Sequence, residues 1–177
     1  YDDNGSVDHI MTYYSDGIQY PARALNLLYN QMPGMNKKFP DYGKFALSEF
    51  SEIFSKQQID SSACLKATIF ENCTLENLGN GKFKIHILPK MAQVSPAFGS
   101  SVQDFDGDGN LDILMVNNFY GPDREMWRYD GGDGLMLLGD GNGKFESVLS
   151  SKSGFYNPYD ARSIITLPSA DSNFYVL

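Results

Sequence analysis

The sequence has few cysteines, few histidines and no long hydrophobic run, and each scarcity excludes a class of protein. Two cysteines without histidine neighbours do not make a zinc site. Cys64 and Cys73 are predicted either as a local disulfide or as two buried free thiols. His9 and His86 lie far apart, which favours ordinary strand residues over a catalytic pair. No apolar segment approaches the roughly 20 residues that a membrane helix needs. Common hydrolase and phosphate-binding motifs are also missing, so we expect no catalytic site.

Basic residues are also in short supply. The chain has 14 Lys and Arg against 22 Asp and Glu, a formal net charge of −8. Such a chain is a poor candidate for binding the phosphate backbone of nucleic acids. No basic stretch is followed by an apolar one, so we expect no signal peptide within this sequence. With 177 residues, 42% of them hydrophobic, the chain suits one domain or a slice of a larger one.

The sequence is rich in Asp and Gly, with 16 Asp against 6 Glu and 17 Gly in all. This bias indicates tight loops that are either plain turns or metal-binding turns. Two short patterns recur. Asn-Gly-Lys-Phe occurs at 80–83 and 142–145, an offset of 62, and the acidic stretch at 2–8 resembles that at 106–112, an offset of 104. Because the offsets differ by 42, the first repeat is predicted to contain an insertion of about that length.

The predicted insertion occupies residues 21–62 and has a helical pattern. Pro21 suits a first helical turn, and the helix behind it is predicted to end at Pro33-Gly34. A second helix is predicted over 47–54, where the apolar residues follow a helical spacing. The other elements are predicted as short strands at 7–14, 66–75, 83–88, 111–117, 134–138 and 145–149. The 62-residue offset places a further strand at 159–165, and Asn-Gly at 80–81 favours a two-residue type I′ hairpin. A mainly β fold is therefore expected, and short strands at a period near 60 favour propeller blades over a solenoid.

The strongest chemical signal is the acidic stretch at 104–112. Asp104, Asp106, Asp108 and Asp112 occupy loop positions 1, 3, 5 and 9, and the carbonyl of Asn110 at position 7 adds a fifth oxygen. Glycine at position 6 allows the loop to curl around one point. Hard oxygen ligands in a flexible loop suit Ca²⁺ better than Zn²⁺ or copper. An EF-hand is excluded because position 12 is not Glu and a strand follows, so we predict a different type of Ca²⁺ loop rather than a plain acidic turn.

A second, incomplete loop of the same kind lies at the start of the sequence. Asp2, Asn4 and Asp8 occupy positions 3, 5 and 9, and Ser6 offers the carbonyl, while position 1 would precede Tyr1. We predict a weaker metal site there. The similar stretch at 139–143 lacks the spacing and is predicted as a plain hairpin turn.

One loop has the composition of a binding surface. The segment 119–129 contains the only Trp of the sequence, with Tyr120, Arg124, Trp127 and Arg128 as candidate contacts for a partner. Aromatic and Arg residues on loops are typical of protein or glycan contacts. The alternative is an inter-strand loop whose aromatic residues pack between blades.

These patterns resemble the FG-GAP/VCBS repeat family, which builds the β-propellers of integrin α subunits and many bacterial surface proteins. The resemblance is carried by Asp-x-Asp-x-Asp-Gly-x-x-Asp before a strand and by Asn-x-Gly-x-Phe at a later hairpin, most clearly over 98–149. Most of the chain is similar to the C-terminal part of VCBS-repeat proteins of Bacteroidota. The resemblance implies about two repeats and the start of a third. They would comprise a first repeat at 1–20 with the truncated Ca²⁺ loop, the helical insertion at 21–62, the rest of the first repeat at 63–96, a second repeat at 97–158, and a degenerate third from 159 to 177.

The resemblance also implies a function. In the family the Asp loop binds Ca²⁺ at the outer edge of a blade and stiffens it, so Asp104, Asp106, Asp108, Asn110 and Asp112 are the expected ligands. The protein is expected to be extracellular, on the cell surface or periplasmic, and to act without catalysis as a protein or glycan interaction or adhesion module. Further blades or chains are expected as partners. Two alternatives remain open: a scaffold part of a propeller enzyme acting on polysaccharide, and a subunit of a larger cell-surface assembly.

Overall fold

The computed structural model describes residues 5–123, 126–168 and 174–176. The chain divides into two compact units, Tyr1–Lys66 and Ala67–Leu177. Each unit has its own buried hydrophobic residues. Most of the regular structure is antiparallel β-sheet, which confirms the mainly β prediction, but the described residues show no propeller.

The first unit combines one hairpin with five short helices in its described part. Strands β1 (Thr12–Ser15) and β2 (Ile18–Pro21) join through Asp16 and Gly17, both with positive φ as a type I′ turn requires. The helices are α1 (Leu25–Gln31), α2 (Met35–Lys38), α3 (Tyr42–Ala46), α4 (Phe50–Ile53) and α5 (Lys56–Asp60). All five lie within the segment predicted to be helical. Their core consists of Leu25, Leu28, Met32, Met35, Phe39, Phe45, Ile53 and Phe54.

Several predicted boundaries in this unit are wrong. The strand predicted at 7–14 is regular only from Thr12, and the first helix begins at Leu25 because Pro21 is paired in β2. Helix α4 begins three residues later than the predicted 47. The Glu52 carboxylate accepts a hydrogen bond from the Glu49 backbone N–H at 3.0 Å, a capping box that fixes this start.

The second unit contains a hairpin and a four-stranded sheet. The hairpin pairs β3 (Cys73–Gly79) with β4 (Lys82–Ile87) through Asn80 and Gly81, whose φ values of 53° and 73° confirm the predicted type I′ turn. The sheet runs in sequence order through β5 (Ala97–Gln103), β6 (Asp112–Asn117), β7 (Leu135–Gly139) and β8 (Phe145–Val148). A 3₁₀ turn at Lys90–Gln93, helix α6 (Ser150–Ser153) and a short pair, β9 (Thr166–Pro168) and β10 (Phe174–Val176), complete the unit.

Strand β6 is one of the two inner strands of this sheet and is buried on both faces. Ile113 and Met115 pack on one face in a cluster with Leu88, Ala92, Leu135 and Leu137. Leu114 and Val116 pack on the other face against Ile164, with Phe105, Met136, Phe155 and Ala161 beside them. The continuous apolar run of β6 is typical of a strand covered on both sides.

The segment after α6 differs from its prediction. A strand was expected at 159–165 from the 62-residue repeat, but this segment has no regular structure and covers the sheet instead. A Cβ at Gly99 would lie 2.8 Å from the Cα of Ser163, so the backbone of this segment approaches β5 closely. The predicted strand at 66–75 is likewise regular only from Cys73.

A buried amide holds the end of β6 to these covering segments. Asn118 has no exposed surface and a φ of 79°, in the left-handed region that Asn tolerates. Its side-chain oxygen accepts hydrogen bonds from the Gly132 N–H and the Ser95 hydroxyl, and its amide nitrogen donates to the carbonyls of Gly132 and Pro158. The partners Ser95, Gly132 and Pro158 lie in three different loops, so this one buried amide holds the three loops together.

Candidate functional site

Three carboxylates converge in the loop between β5 and β6. Asp104, Asp106 and Asp108 each offer one oxygen, and these oxygens lie within 4.8 Å of one another. Asp104 is half-buried at the end of β5, and the other two side chains are exposed. These are three of the five residues that the sequence predicts as metal ligands.

Backbone hydrogen bonds to the carboxylates shape the loop. The Asp104 carboxylate accepts hydrogen bonds from the Gly107 N–H at 2.7 Å and the Gly109 N–H at 3.0 Å. Both glycines have positive φ, 82° and 89°, which other residues adopt only with strain. The Asp106 carboxylate accepts from the Asp108 N–H at 3.1 Å. The chain therefore curls toward its own acidic side chains, as predicted from Gly109 at position 6.

Asn110 contacts the cluster through its own side chain. Its backbone N–H and side-chain amide donate to the two oxygens of Asp108 at 2.7 and 2.9 Å. These hydrogen bonds, the backbone one first, lower the pKa of the Asp108 carboxyl below its ordinary value. The ionised form that a metal requires is thus favoured. The contribution of the Asn110 carbonyl as a ligand stays a prediction.

Asp112 is separate from the group of three and is fully buried. Its carboxylate accepts one hydrogen bond from the Phe105 N–H and one from the Gly139 N–H, both at 2.9 Å. It therefore ties the acidic loop to strand β7. The sequence pattern predicts Asp112 only as a metal ligand and gives no sign of this anchoring role. Whether Asp112 also binds a metal stays a prediction.

The first acidic loop is only partly described. Asp2 and Asn4 lie outside the described residues, while Ser6 is exposed and Asp8 is half-buried. The second, weaker metal site at Asp2, Asn4, Ser6 and Asp8 therefore stays a prediction.

The loop at 140–144 is a hairpin turn between β7 and β8. The Asp140 carboxylate accepts hydrogen bonds from the backbone N–H groups of Asn142 and Lys144 at 2.8 and 3.0 Å. These bonds, led by that of Asn142, lower the pKa of the Asp140 carboxyl. A single carboxylate that is used in this way closes a turn and does not form a metal site.

The predicted partner-binding loop forms part of an aromatic surface. The Arg128 guanidinium carbon lies 4.7 Å from the Tyr120 ring centroid, and Trp127 is 93% exposed. Arg124 lies outside the described residues. The structure adds Arg162, whose guanidinium carbon lies 4.1 Å from the Phe98 ring centroid and 4.7 Å from that of Phe119. We call Phe98, Phe119, Tyr120, Trp127, Arg128 and Arg162 the aromatic–arginine patch.

The remaining candidates have ordinary roles. His86 lies in β4 with its Nε2 2.7 Å from the Glu76 carboxylate, a hydrogen bond that lowers the pKa of Glu76. His9 is exposed and lies outside the described strands. Cys64 and Cys73 are free thiols, but Cys64 is exposed and Cys73 is half-buried. The predicted burial of these thiols is therefore wrong, because neither residue packs in a hydrophobic cluster. None of these four groups is combined into a site by the contacts of the described residues.

No protein-family model, curated protein or solved structure matches this chain. Within the described part, helices are too short and too polar to cross a membrane.

Proposed function

We propose that this chain is a calcium-binding, non-catalytic interaction module of an extracellular β-propeller protein. The observation that carries the proposal is the convergence of Asp104, Asp106 and Asp108 in one loop. Three carboxylates at this separation repel one another, and a hard divalent cation removes that repulsion. Oxygen donors without nitrogen or sulfur suit Ca²⁺.

The role proposed for the ion is structural. The acidic loop connects β5 to the inner strand β6, and Asp112 fixes it to β7. A cation held by Asp104, Asp106 and Asp108 would therefore restrain the end of the sheet. Ca²⁺ that binds only the folded loop adds its binding free energy to the free energy of unfolding, by about 2.7 kcal/mol at one hundred times the dissociation constant.

The blade assignment rests on the four-stranded sheet. An antiparallel sheet in sequence order, with its inner strand β6 covered on both faces, is the arrangement expected of a propeller blade. The FG-GAP/VCBS assignment, the extracellular or periplasmic location and the additional blades or chains come from the sequence resemblance. The non-catalytic role is proposed because the sequence lacks the common catalytic motifs, and the proposed partner is a protein or a glycan.

The proposal is tested by titrating Ca²⁺ into chelator-treated protein by calorimetry. We expect stoichiometric binding that is lost in Asp104→Ala and Asp106→Ala, and a melting temperature about 5–10 °C higher at saturating Ca²⁺. Asp140→Ala is the matched control, since it removes a similar carboxylate from the neighbouring loop and should leave Ca²⁺ binding unchanged. Absence of binding in a sample that is folded by circular dichroism contradicts the metal assignment.

A further inference from the structure

Apart from the exposed Trp127, the members of the aromatic–arginine patch are held in place by ring and guanidinium contacts. The rings of Phe98 and Phe119 meet edge to face, with centroids 5.8 Å apart, and the Arg162 guanidinium stacks on both. Tyr120 donates its hydroxyl hydrogen bond to the Pro158 carbonyl, while Arg128 stacks on the Tyr120 ring. These five residues beside Trp127 are therefore organised before any partner arrives, which reduces the entropic cost of binding.

Each guanidinium in the patch already has an acidic partner. Arg162 lies 2.7 Å from the Asp160 carboxylate, and Arg128 lies 3.0 Å from the Asp130 carboxylate. The Asp160 carboxylate also accepts a hydrogen bond from the Tyr120 N–H at 2.9 Å, so it is fixed in place. These two pairs carry no net charge, and a polyanion would have to compete for each guanidinium with a carboxylate only two positions away in the sequence. The charge pattern thus favours an uncharged partner.

Large aromatic surfaces in and beside the patch are exposed to water. Trp127 is 93% exposed, and Tyr159, which follows the carbonyl that Tyr120 binds, is 72% exposed. Burial of such rings is favourable, and exposed apolar groups rimmed by polar ones mark binding sites. The half-exposed guanidinium groups of Arg128 and Arg162 and the half-exposed carboxylate of Asp130 supply both donors and acceptors.

We propose that the aromatic–arginine patch binds a neutral polysaccharide. The C–H faces of pyranose rings pack on the exposed aromatic rings, with Trp127 as the main contact. Sugar hydroxyls accept hydrogen bonds from Arg128 and Arg162 and donate to Asp130. The Asp130 and Asp160 carboxylates keep both guanidinium charges compensated. The proposal rests on the interaction role proposed above, and it is independent of Ca²⁺.

The single Trp makes this binding directly measurable. Fluorescence of Trp127 is followed while cellohexaose, xylohexaose, mannohexaose or maltohexaose is added, with a polygalacturonate hexamer as the anionic counterpart. At least one neutral oligosaccharide is expected to shift the emission to shorter wavelength and to protect the indole from acrylamide quenching. The anionic hexamer is expected to bind at least about tenfold more weakly.

Variants separate the patch from the rest of the surface. By calorimetry, Trp127→Ala is expected to lose about tenfold or more in affinity, and Arg128→Lys, which keeps the charge but not the planar stacking group, to lose affinity as well. Phe70→Ala is the matched control, because Phe70 is 85% exposed in the same unit but lies outside the patch. Its affinity should equal that of the unmodified protein.

Three results would overturn the assignment: no emission change with any neutral oligosaccharide, stronger binding of the anionic hexamer, or unchanged affinity in Trp127→Ala. Ca²⁺ binding is measured on the same sample by calorimetry. A sample that binds Ca²⁺ and no sugar overturns the assignment of the patch alone, whereas a sample that binds sugar and no Ca²⁺ overturns only the metal site.

Discussion

Two Asp- and Gly-rich loops lie side by side at one end of the four-stranded sheet, and they differ in what they can bind. In both, Asp carboxylates accept backbone hydrogen bonds that turn the chain. In the β5–β6 loop, Asp residues that accept such bonds occupy every second position from 104 to 108, so three carboxylates converge. The β7–β8 loop has one carboxylate, Asp140, and its turn is complete without a cation. The spacing of the Asp residues, more than acidity alone, therefore separates a candidate metal loop from a turn.

The two loops are also joined. The Asp112 carboxylate links Phe105 in the acidic loop to Gly139 at the start of the hairpin turn. A Cβ at Gly139 would lie 2.2 Å from the Leu111 carbonyl oxygen, so the two backbones are in close contact. We therefore expect that disturbing this junction affects both loops, whereas changes within the hairpin turn affect that turn alone.

The largest effect on stability is expected from Asp112→Ala, which breaks the junction between the two loops. The substitution leaves the N–H groups of Phe105 and Gly139 without their acceptor, which should lower the free energy of unfolding by about 3 kcal/mol. Asp112→Asn keeps one acceptor oxygen and should lose about half as much. Urea denaturation in the presence of chelator measures this without a contribution from Ca²⁺. A loss that appears only when Ca²⁺ is present would show that Asp112 acts as a ligand and not as an anchor.

A smaller effect is expected from Gly139→Ala. The added methyl group must displace the Leu111 backbone, at a cost of about 2 kcal/mol in unfolding free energy. Because Leu111 lies between Asn110 and Asp112, we expect the same variant to weaken Ca²⁺ binding in calorimetry. Gly34→Ala is the control, since a Cβ there meets nothing within 4 Å and φ is −65°. Equal stability of the two variants would contradict the close contact between the loops.

The smallest effect is a change in acid sensitivity in the hairpin turn. The lowered pKa of Asp140 means that its ionised form stabilises the fold. This contribution is complete above the ordinary Asp pKa of about 3.9 and is lost as pH falls through the lower pKa of the folded state. Asp140→Asn should therefore lose less stability between about pH 5 and pH 2 than the unmodified protein. Equal acid sensitivity of Asp140→Asn and the unmodified protein would contradict this role of the Asp140 carboxylate.

Local sequence patterns predicted which helices and strands exist better than they predicted where each one begins and ends. The Asn80-Gly81 turn and the strands near 83–88 and 111–117 could be read from the sequence because turn chemistry and apolar runs act over a few residues. The strand predicted at 159–165 failed because a repeat offset does not show whether a segment finds a pairing partner. Packing against Gly99 holds that segment in an irregular form instead.

The residues of the candidate sites also fall into those that the sequence predicts and those that only the structure brings together. The convergence of Asp104, Asp106 and Asp108 follows from residue spacing alone, since neighbouring positions in a curled loop must face one point. Arg162 could not be associated with Phe98, because 64 positions separate them in the sequence and only the covering segment brings them together. The role of Asn118 could not be predicted either, because the residue type does not show whether an Asn side chain is buried or exposed.

The mainly β composition, the helical segment and the acidic loop could all be predicted from the amino-acid sequence, because each depends on chemistry within a few neighbouring residues. Three roles emerge only in the folded unit: Asp112 anchors the acidic loop, Asn118 fixes three loops, and Arg128 and Arg162 share one aromatic surface. These roles depend on which distant backbone groups and rings meet after the sheet has packed. No local pattern specifies those contacts, because they arise from burial and close packing of the whole unit.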